Sequence, residues 1–328
     1  MCVSRLGEFE FIKRLLSPLT RGAPGAYNLS DDAATLAPSH GFELVVTKDA
    51  VIEGVHFLAS DPPDLIARKA LRVNLSDLAA KGAKPVGFFM ALMIPEQIDD
   101  TWLTLFAAGL GQDIDAFGCP LLGGDTTRTP GPLAISITAM GEVKTGHMTR
   151  RNGAMAGDAL CVSGTIGDGA LGLDVVRGAH GHLVSEHKQF LIDRYRLPQP
   201  RLELGQAEVG CDSACIDISD GLCADVGHIC EQSGVAAIIE SSQIPLSRAG
   251  GAVLAQAPSA LARILTGGDD YELAFSVPPA NVAAAIAHGL KVCVRVTPIG
   301  RFTSGQGLTV LDGAGHPVKL SALGFQHR

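Results

Sequence analysis

The chain has 328 residues, of which 46% are hydrophobic and 18% are charged, and its formal net charge is -8. This composition indicates a compact globular protein long enough for two domains, and it excludes a disordered chain. The negative charge argues against general nucleic-acid binding, because phosphate backbones attract basic proteins. An anionic substrate would need metal ions or local Arg and Lys side chains to offset the field of the protein.

The N-terminal residues predict an amphipathic helix rather than a targeting segment. From residue 1 to 16, charged and apolar side chains alternate without the apolar core of a signal peptide. The most apolar run, residues 85–95, is too short to cross a bilayer and predicts a buried strand. We therefore expect a cytoplasmic protein that does not enter the membrane.

The first half predicts strands and helices in alternation. A loop over residues 20–28 leads to Asp31 and Asp32. Strands are predicted over 44–49, 87–94, 121–122 and 134–143, and helices from 63 to about 83 and from 99 to 117. The sequence 53–57, which contains His56, connects the first strand to the first of these helices.

The second half begins after a polar, Gly-rich stretch over 149–157, which predicts a first domain of residues 1–150 and a second of 151–328. Residues 164–169 are interpreted either as a phosphate loop or as a plain strand-to-helix turn, since they lack the GxxxxGK[ST] spacing. The alternation of elements in both halves predicts an α/β or α+β fold. Strands are predicted over 159–163, 216–218, 235–240, 271–277 and 292–296, with helices between them, one over 221–230.

Five short segments place Asp beside Ser, Thr or Gly at the edge of an apolar run. They are Ser30-Asp31-Asp32, Thr47-Lys48-Asp49, Ser76-Asp77, Gly123-Gly124-Asp125-Thr126-Thr127 and Asp217-Ile218-Ser219-Asp220-Gly221. Brought together by a fold, such carboxylates form an oxygen-rich site for several Mg²⁺ ions. Hydroxyl groups and the guanidinium of Arg151 would add contacts to phosphate, and the Gly pair would admit a phosphate close to the backbone. The alternative is a set of separate helix caps and turns.

Three further patterns give weaker predictions. Ser-Asp precedes Gly-Gly-Asp at nearly the same distance in both halves, which suggests a duplication or a chance match. Cys211, Cys215, Cys223 and Cys230 contain no CxxC pair, which favours buried thiols over a zinc site. Side chains alternate along a strand, so we expect Lys48 to point away from the face that Thr47 and Asp49 share.

The ordered set of motifs resembles the thiamine-monophosphate kinase family over nearly the whole chain. These motifs are GEFEFI, SDDAA, TKDAVIEGVHF, NLSDLAAKGA, LLGGDTT, IDISDGL and TGGDDYEL. The resemblance implies ATP-dependent phosphorylation of thiamine monophosphate to thiamine diphosphate, by direct transfer with several Mg²⁺ ions. It also implies a homodimer, in which N-terminal ferredoxin-like sheet domains pair and a C-terminal α/β domain closes over the nucleotide.

The resemblance also assigns roles to individual residues. Magnesium-binding positions are Asp32, Thr47, Asp49, Asp77, Asp125, Asp217 and Asp220. ATP contacts are Gly124, Asp125, Arg151 and Ser219, and substrate contacts are His56, Asp269 and Phe325. This chain departs from the family pattern at Ser30, Lys48 and Phe325. The alternatives are an enzyme like aminoimidazole ribonucleotide synthetase and a non-catalytic nucleotide-binding sensor.

Overall fold

The computed structural model describes residues 6–207 and 214–324, which divide into two compact units. The first unit comprises residues up to 78 together with 83–146, and the second comprises 79–82 together with the chain from 147 onward. Mixed helices and sheets in both units confirm the predicted two-domain α+β class. The predicted boundary after residue 150 stays a prediction.

The first unit contains a four-stranded sheet in the order β1-β4-β2-β3. β4 pairs antiparallel with both β1 and β2, and β3 pairs parallel with β2. Both β1 and β3 are therefore edge strands. The strands are β1 Phe42–Ile52, β2 Lys84–Pro95, β3 Leu121–Thr129 and β4 Ala134–Lys144.

The helices of this unit are α1 Glu8–Phe11, α2 Pro63–Ala80 and α3 Asp100–Phe117. The buried Asp113 of α3 receives hydrogen bonds from Arg68 and Arg72 of α2, which fixes the two long helices together. α3 begins where the Asp99 side chain accepts from the Trp102 N–H, and it ends at Gly118 with φ 62°.

Residues 1–5 of the helix predicted over residues 1–16 lie outside the described residues, and from residue 6 onward the segment differs from a single helix. After α1 the chain continues as one π-helical turn, Ile12–Leu16, and then as a 3₁₀ turn, Ser17–Thr20. The predicted loop over 20–28 contains a second 3₁₀ segment, Pro24–Leu29. Pro18 and Pro24 lie in the first turns of these 3₁₀ segments, where a missing N–H is tolerated and regular α-helix is interrupted.

The second unit contains a six-stranded sheet in the order β10-β7-β9-β5-β8-β6. The pairs are antiparallel except for β10 with β7. The strands are β5 Ala159–Ser163, β6 Cys215–Asp217, β7 Ala236–Glu240, β8 Leu273–Val277, β9 Val296–Thr303 and β10 Gly307–Leu311. The helices are α4 Asp168–Val176, α5 Ser185–Arg196, α6 Leu202–Gln206, α7 Leu222–Ser233, α8 Arg248–Gln256, α9 Ala260–Thr266 and α10 Val282–Lys291.

The predicted strand over 292–296 is wrong. Val292 ends α10, Cys293 adopts φ 56°, and the Val294 N–H donates to the Gly289 carbonyl at 2.8 Å. This hydrogen bond closes the helix end in a left-handed turn. β9 begins only at Val296.

Three of the four cysteines considered for zinc lie in the described chain. Cys215, Cys223 and Cys230 are free and buried, and burial raises the pKa of the Cys215 and Cys223 thiols to about 12. Cys211 lies outside the described residues. In the part of the chain that the structure describes, no helix has the length and apolar character needed to span a membrane.

Candidate active site

Hydroxyl and carboxylate oxygens meet between β1 and α2 in the first unit. The Thr47 Oγ1 donates a hydrogen bond to the Asp77 carboxylate. One turn earlier on α2, the buried Asn74 side chain accepts from the Asp49 N–H at 3.0 Å and donates to the Ala70 carbonyl. Asn74 therefore attaches β1 to the helix and sets the register that brings Thr47 to Asp77.

Lys48 lies on the face of the four-stranded sheet opposite to Thr47 and Asp49. β1 pairs with β4 without a register shift, so the side chains alternate regularly through Thr47, Lys48 and Asp49. Cross-strand partners share a face, and Lys48 belongs to the row formed by Thr138, Phe89 and Gly123. The predicted separation of Lys48 from Thr47 and Asp49 is confirmed.

A cleft of about 920 Å³ lies between the N-terminal segment and β3. Asp31, Asp32 and Asp125 line it, all of them exposed, and the Asp32 N–H donates to the Asp31 carboxylate at 2.8 Å. Gly124 also lines this cleft, as does the ring of Phe89. The structure therefore brings Asp32, Gly124 and Asp125 to one cleft, with an apolar wall beside the acidic groups.

The Gly123-Gly124 pair is required by packing against β2. A Cβ at Gly124 would lie 1.9 Å from the Met90 carbonyl oxygen, and one at Gly123 would lie 2.8 Å from the Phe89 ring. The Met90 backbone leaves no room for a side chain at position 124, and one at position 123 would have to displace the Phe89 ring, so packing favours glycine here before any ligand is considered. The sequence motif alone suggested only the approach of a phosphate.

His56 follows β1 in the loop that leads toward α2. Its Nδ1 accepts a hydrogen bond from the Ile52 N–H at 3.1 Å, which fixes the ring to the end of the strand. With Nδ1 acting as an acceptor, the neutral imidazole carries its proton on Nε2. The side chain is therefore held in one tautomer, as a hydrogen-bond donor through Nε2.

The turn between β6 and α7 in the second unit carries Asp217, Ser219 and Asp220. Asp217 is 5% exposed. The N–H groups of Ser219, Asp220 and Gly221 all donate to the Oδ2 of Asp225, each at 3.1 Å. Burial raises the pKa of Asp225 well above its usual range, and the nearby carboxylates of Asp217 and Asp220 raise it further.

A second acidic segment runs alongside this turn. The Asp269 N–H donates to the Ser219 carbonyl at 2.7 Å, and the Tyr271 N–H donates to the Ile218 carbonyl at 2.8 Å. Asp269 and Tyr271 have φ values of 67° and 52°, a left-handed conformation that costs non-glycine residues about 1–3 kcal/mol. Such local strain persists only where the surrounding structure enforces it.

The Gly-rich turn over 164–169 is not a phosphate loop. The carboxylate of Asp270, which is 1% exposed, accepts from the Gly167 N–H at 2.7 Å and from the Gly169 N–H at 3.0 Å. A buried carboxyl group of the chain itself therefore occupies the N-terminus of α4, where a phosphate would bind. The structure instead shows the other predicted possibility, a plain turn from strand β5 to helix α4.

Glu272 is the other buried acid of this segment. Its side chain accepts from Ser163 Oγ at 2.6 Å and from Arg194 at 2.9 Å, and it forms a bidentate pair with Arg201. A fully buried carboxylate with these partners is compensated, and its oxygens are already occupied, so it offers no ligand.

Two predicted site residues, Arg151 and Phe325, are not brought to either acidic site by any contact in the described chain. Arg151 is exposed, and its carbonyl oxygen accepts from Ser233 Oγ at 3.4 Å. Phe325 lies outside the described residues.

Sequence reasoning missed the structural acids Asp225, Asp270 and Glu272. A signal existed only for Asp225, an Asp in the first turn of the helix that follows Ser-Asp-Gly.

Within residues 6–207 and 214–324, no three His, Cys, Asp or Glu side chains converge as in a closed metal cage. Mg²⁺ commonly binds to one or two carboxylates, and water and phosphate oxygens complete its shell. The Thr47–Asp77 pair and the acids of the cleft are suited to such open coordination, because their donors are hard oxygen atoms.

Comparisons with known proteins extend over both units. The model of the N-terminal domain of AIR synthase related proteins matches residues 30–143, and that of their C-terminal domain matches 155–313. The chain is 44% identical over 323 residues to thiamine-monophosphate kinase of Caulobacter vibrioides, covering 98% of this chain and 90% of the relative. It is 36% identical over 326 residues to thiamine-monophosphate kinase of Escherichia coli, covering 98% of each.

Solved structures of thiamine-monophosphate kinases are also similar to this chain over most of its length. Thiamine-monophosphate kinase from Stenotrophomonas maltophilia has a TM-score of 0.79 and 40% identity, covering 86% of this chain and 89% of that one. AaThiL complexed with AMPPCP and TMP has a TM-score of 0.78 and 29% identity over all of both chains. The hydrogenase maturation protein HypE in complex with ATP has a TM-score of 0.76 at 19% identity, covering 97% and 95%, a likeness of fold alone.

Proposed function

This chain belongs to the thiamine-monophosphate kinases, a family of AIR synthase related proteins, and we propose that its acidic segments bind magnesium for direct phosphoryl transfer. It phosphorylates thiamine monophosphate with ATP as co-substrate. Relatives that are 36–44% identical over nearly the full length of this chain are thiamine-monophosphate kinases. They do not favour the alternatives, an aminoimidazole ribonucleotide synthetase-like enzyme or a sensor without turnover.

The observation that carries the metal proposal is the hydrogen bond from Thr47 to Asp77, with Asp49 on the same face of β1. These are hard oxygen donors of the kind that Mg²⁺ prefers. When bound, the ions neutralise phosphate charge, and phosphoryl transfer depends mainly on such electrostatics and on positioning. In the first unit the proposed ligands are Asp32, Thr47, Asp49, Asp77 and Asp125, and in the second they are Asp217 and Asp220.

The remaining site residues would bind and orient the two substrates. Gly124, Arg151 and Ser219 are proposed for ATP, with a guanidinium suited to the planar geometry of phosphate oxygens. His56, Asp269 and Phe325 are proposed for thiamine monophosphate. A carboxylate such as Asp269 accepts hydrogen bonds from an aminopyrimidine, and an aromatic ring attracts a thiazolium cation.

We also propose a cytoplasmic homodimer. The edge strand β1 exposes Phe42 and Val46, with 38% and 59% of their surfaces accessible, and unpaired strand edges recruit other chains. A second copy adding to this edge would cover both side chains. The free, buried cysteines of the described chain suit a reducing compartment, which supports the cytoplasmic assignment.

The test is a magnesium titration of turnover at fixed ATP. We expect wild-type activity to keep rising after all ATP is complexed, because further ions bind to the protein. Asp77→Asn should lower turnover by about 100-fold or more, as expected for the loss of a group that stabilises developing charge. Asn can still accept from Thr47, so the fold should persist, which thermal unfolding will check.

The matched control is Asp115→Asn, which removes an exposed carboxylate of α3 that pairs with Arg21. Its turnover and magnesium dependence should equal those of the wild type. Saturation at one Mg²⁺ per ATP, or near-normal turnover of folded Asp77→Asn at high magnesium, would contradict the metal assignment.

A further inference from the structure

The turn that follows β6 is held by one carboxylate oxygen. Three consecutive N–H groups, those of Ser219, Asp220 and Gly221, converge on the Oδ2 of Asp225 at 3.1 Å. Successive N–H groups that point to one centre form an anion-binding nest. In this protein the anion is supplied by the chain itself, four residues into α7.

The surroundings of the turn leave it little freedom. Asp225 is 2% exposed, and Gly221 adopts φ 121°, where a Cβ would lie 2.8 Å from the Thr266 backbone. On the other side, the Ser219 carbonyl accepts from the Asp269 N–H at 2.7 Å. Packing at Gly221 and the bond from Asp269 therefore hold residues 217–221 from outside, and the Asp225 side chain holds their N–H groups from within.

We propose that Asp225 is a positioning residue for the phosphoryl-transfer reaction, which it serves by fixing the turn that presents Asp217, Ser219 and Asp220. The proposal rests on the proposed function, in which these three residues bind Mg²⁺ and ATP. Because Asp225 fills the nest, the backbone of this turn is closed to phosphate. The nucleotide must therefore be bound there by side chains and by the ions that they hold.

The test compares Asp225→Ala with Asp225→Asn in the full-length protein. Alanine leaves three N–H groups without an acceptor, whereas Asn keeps one acceptor oxygen without its charge. We expect Asp225→Ala to raise the half-saturating magnesium concentration and the KM for ATP by about 10- to 100-fold, the range found when groups that orient metal ligands are removed. The effect of Asp225→Asn should be smaller.

Asp168→Asn is the matched control. Asp168 is fully buried in the same unit and accepts from Thr165 and Ser247, neither of which belongs to the turn. Its replacement should lower the unfolding temperature without changing the magnesium or ATP dependence. A merely structural role of Asp225 would give the same result as this control, with less folded enzyme but unchanged constants.

The outcomes separate the positioning role from the proposed function, with Asp217→Asn as the reference. If Asp217→Asn raises the magnesium requirement and folded Asp225→Ala does not, the role of Asp225 is overturned and the metal assignment stands. If neither variant changes the magnesium or ATP dependence, the metal assignment of this turn is wrong, and the positioning role is lost with it. Should Asp225→Ala not fold, the same comparison is made with Asp225→Asn, for which wild-type constants overturn the proposal.

Discussion

The two Gly-Gly-Asp segments have the same three residues in different surroundings. Gly123-Gly124-Asp125 lies inside β3, and its Asp125 is exposed at the cleft. Gly267-Gly268-Asp269 follows α9 in a loop, where Gly268 and Asp269 have φ values of 71° and 67°. The first segment is part of a sheet, whereas the second is a left-handed turn.

The difference shows that the near-equal spacing in the two halves is not a structural repeat. Ser76-Asp77 lies within α2, whereas Ser219-Asp220 forms a turn before α7. Glycine is needed at position 124 for close approach to β2, whereas position 268 needs it both for a left-handed φ of 71° and because a Cβ would lie 2.3 Å from the Ser219 carbonyl oxygen. The acids also differ, since the loop segment continues into the buried Asp270.

The largest effect that tests this contrast is expected on the stability of the protein when the glycines of the strand segment are replaced. Gly124→Ala should lower the free energy of unfolding by about 3 kcal/mol, because its Cβ meets the Met90 carbonyl. Gly123→Ala should cost about 1–2 kcal/mol, because the Phe89 ring can move. Denaturant unfolding of both variants measures the difference. Equal losses would mean that β3 shifts as a whole and that close approach does not select glycine.

A pH dependence of stability sharpens the contrast between the acids. Burial raises the pKa of Asp270 to about 8, whereas an Asp in an unfolded chain titrates near 3.9. Between these values the folded protein binds more protons than the unfolded chain, so its stability falls as the pH rises from about 4 to about 8. Asp270→Asn should make this fall smaller, as measured by urea unfolding at several pH values.

The control for this prediction is Asp125→Asn, at the exposed acid of the strand segment. That carboxylate is exposed, and its replacement leaves the buried Asp270, and the decrease that Asp270 causes, in place. If Asp270→Asn retains the full decrease between pH 4 and pH 8, another group takes up the proton and the buried acid of the loop segment is ionised.

The smallest effect is expected at Lys48, which shares a sheet face with Gly123. Three strand spacings, about 14 Å, separate their backbones. The ammonium is also on the face opposite Thr47 and Asp49. Lys48→Thr should therefore leave the magnesium dependence of turnover unchanged. A several-fold change in the half-saturating magnesium concentration would place the lysine at the metal site and refute the strand argument.

The fold was predictable where local chemistry decides it. The Asp99 cap, Gly118 and the apolar face of α2 are visible in the sequence, and β5 has the predicted bounds. Residues 292–296 misled the prediction because Val and Cys favour strands locally, while the turn at Cys293 is formed by a bond to Gly289. Tertiary context outweighs propensity there.

The candidate site was predictable to a similar degree. Asp beside Ser, Thr or Gly is a local signal, and the structure brings Thr47 to Asp77 and Asp32 to the cleft of Asp125. Asp270 and Glu272 carried no such signal, because a charged side chain is usually exposed. Their partners are backbone N–H groups and arginines distant in sequence, which only the folded chain brings to them.

The pairing of β1 with β4 has a consequence for biosynthesis. The partners lie about 90 residues apart, so β1 leaves the ribosome long before β4, its neighbour in the described sheet, exists. At roughly 5–20 residues per second, the delay is about 5 to 20 seconds. During this time residues 42–52 lack the strand that satisfies half of their N–H and C=O groups in the folded sheet. Until β4 has been made, residues 42–52 are thus open to pairing with other chains, and a co-translational chaperone bound to them would prevent such pairing.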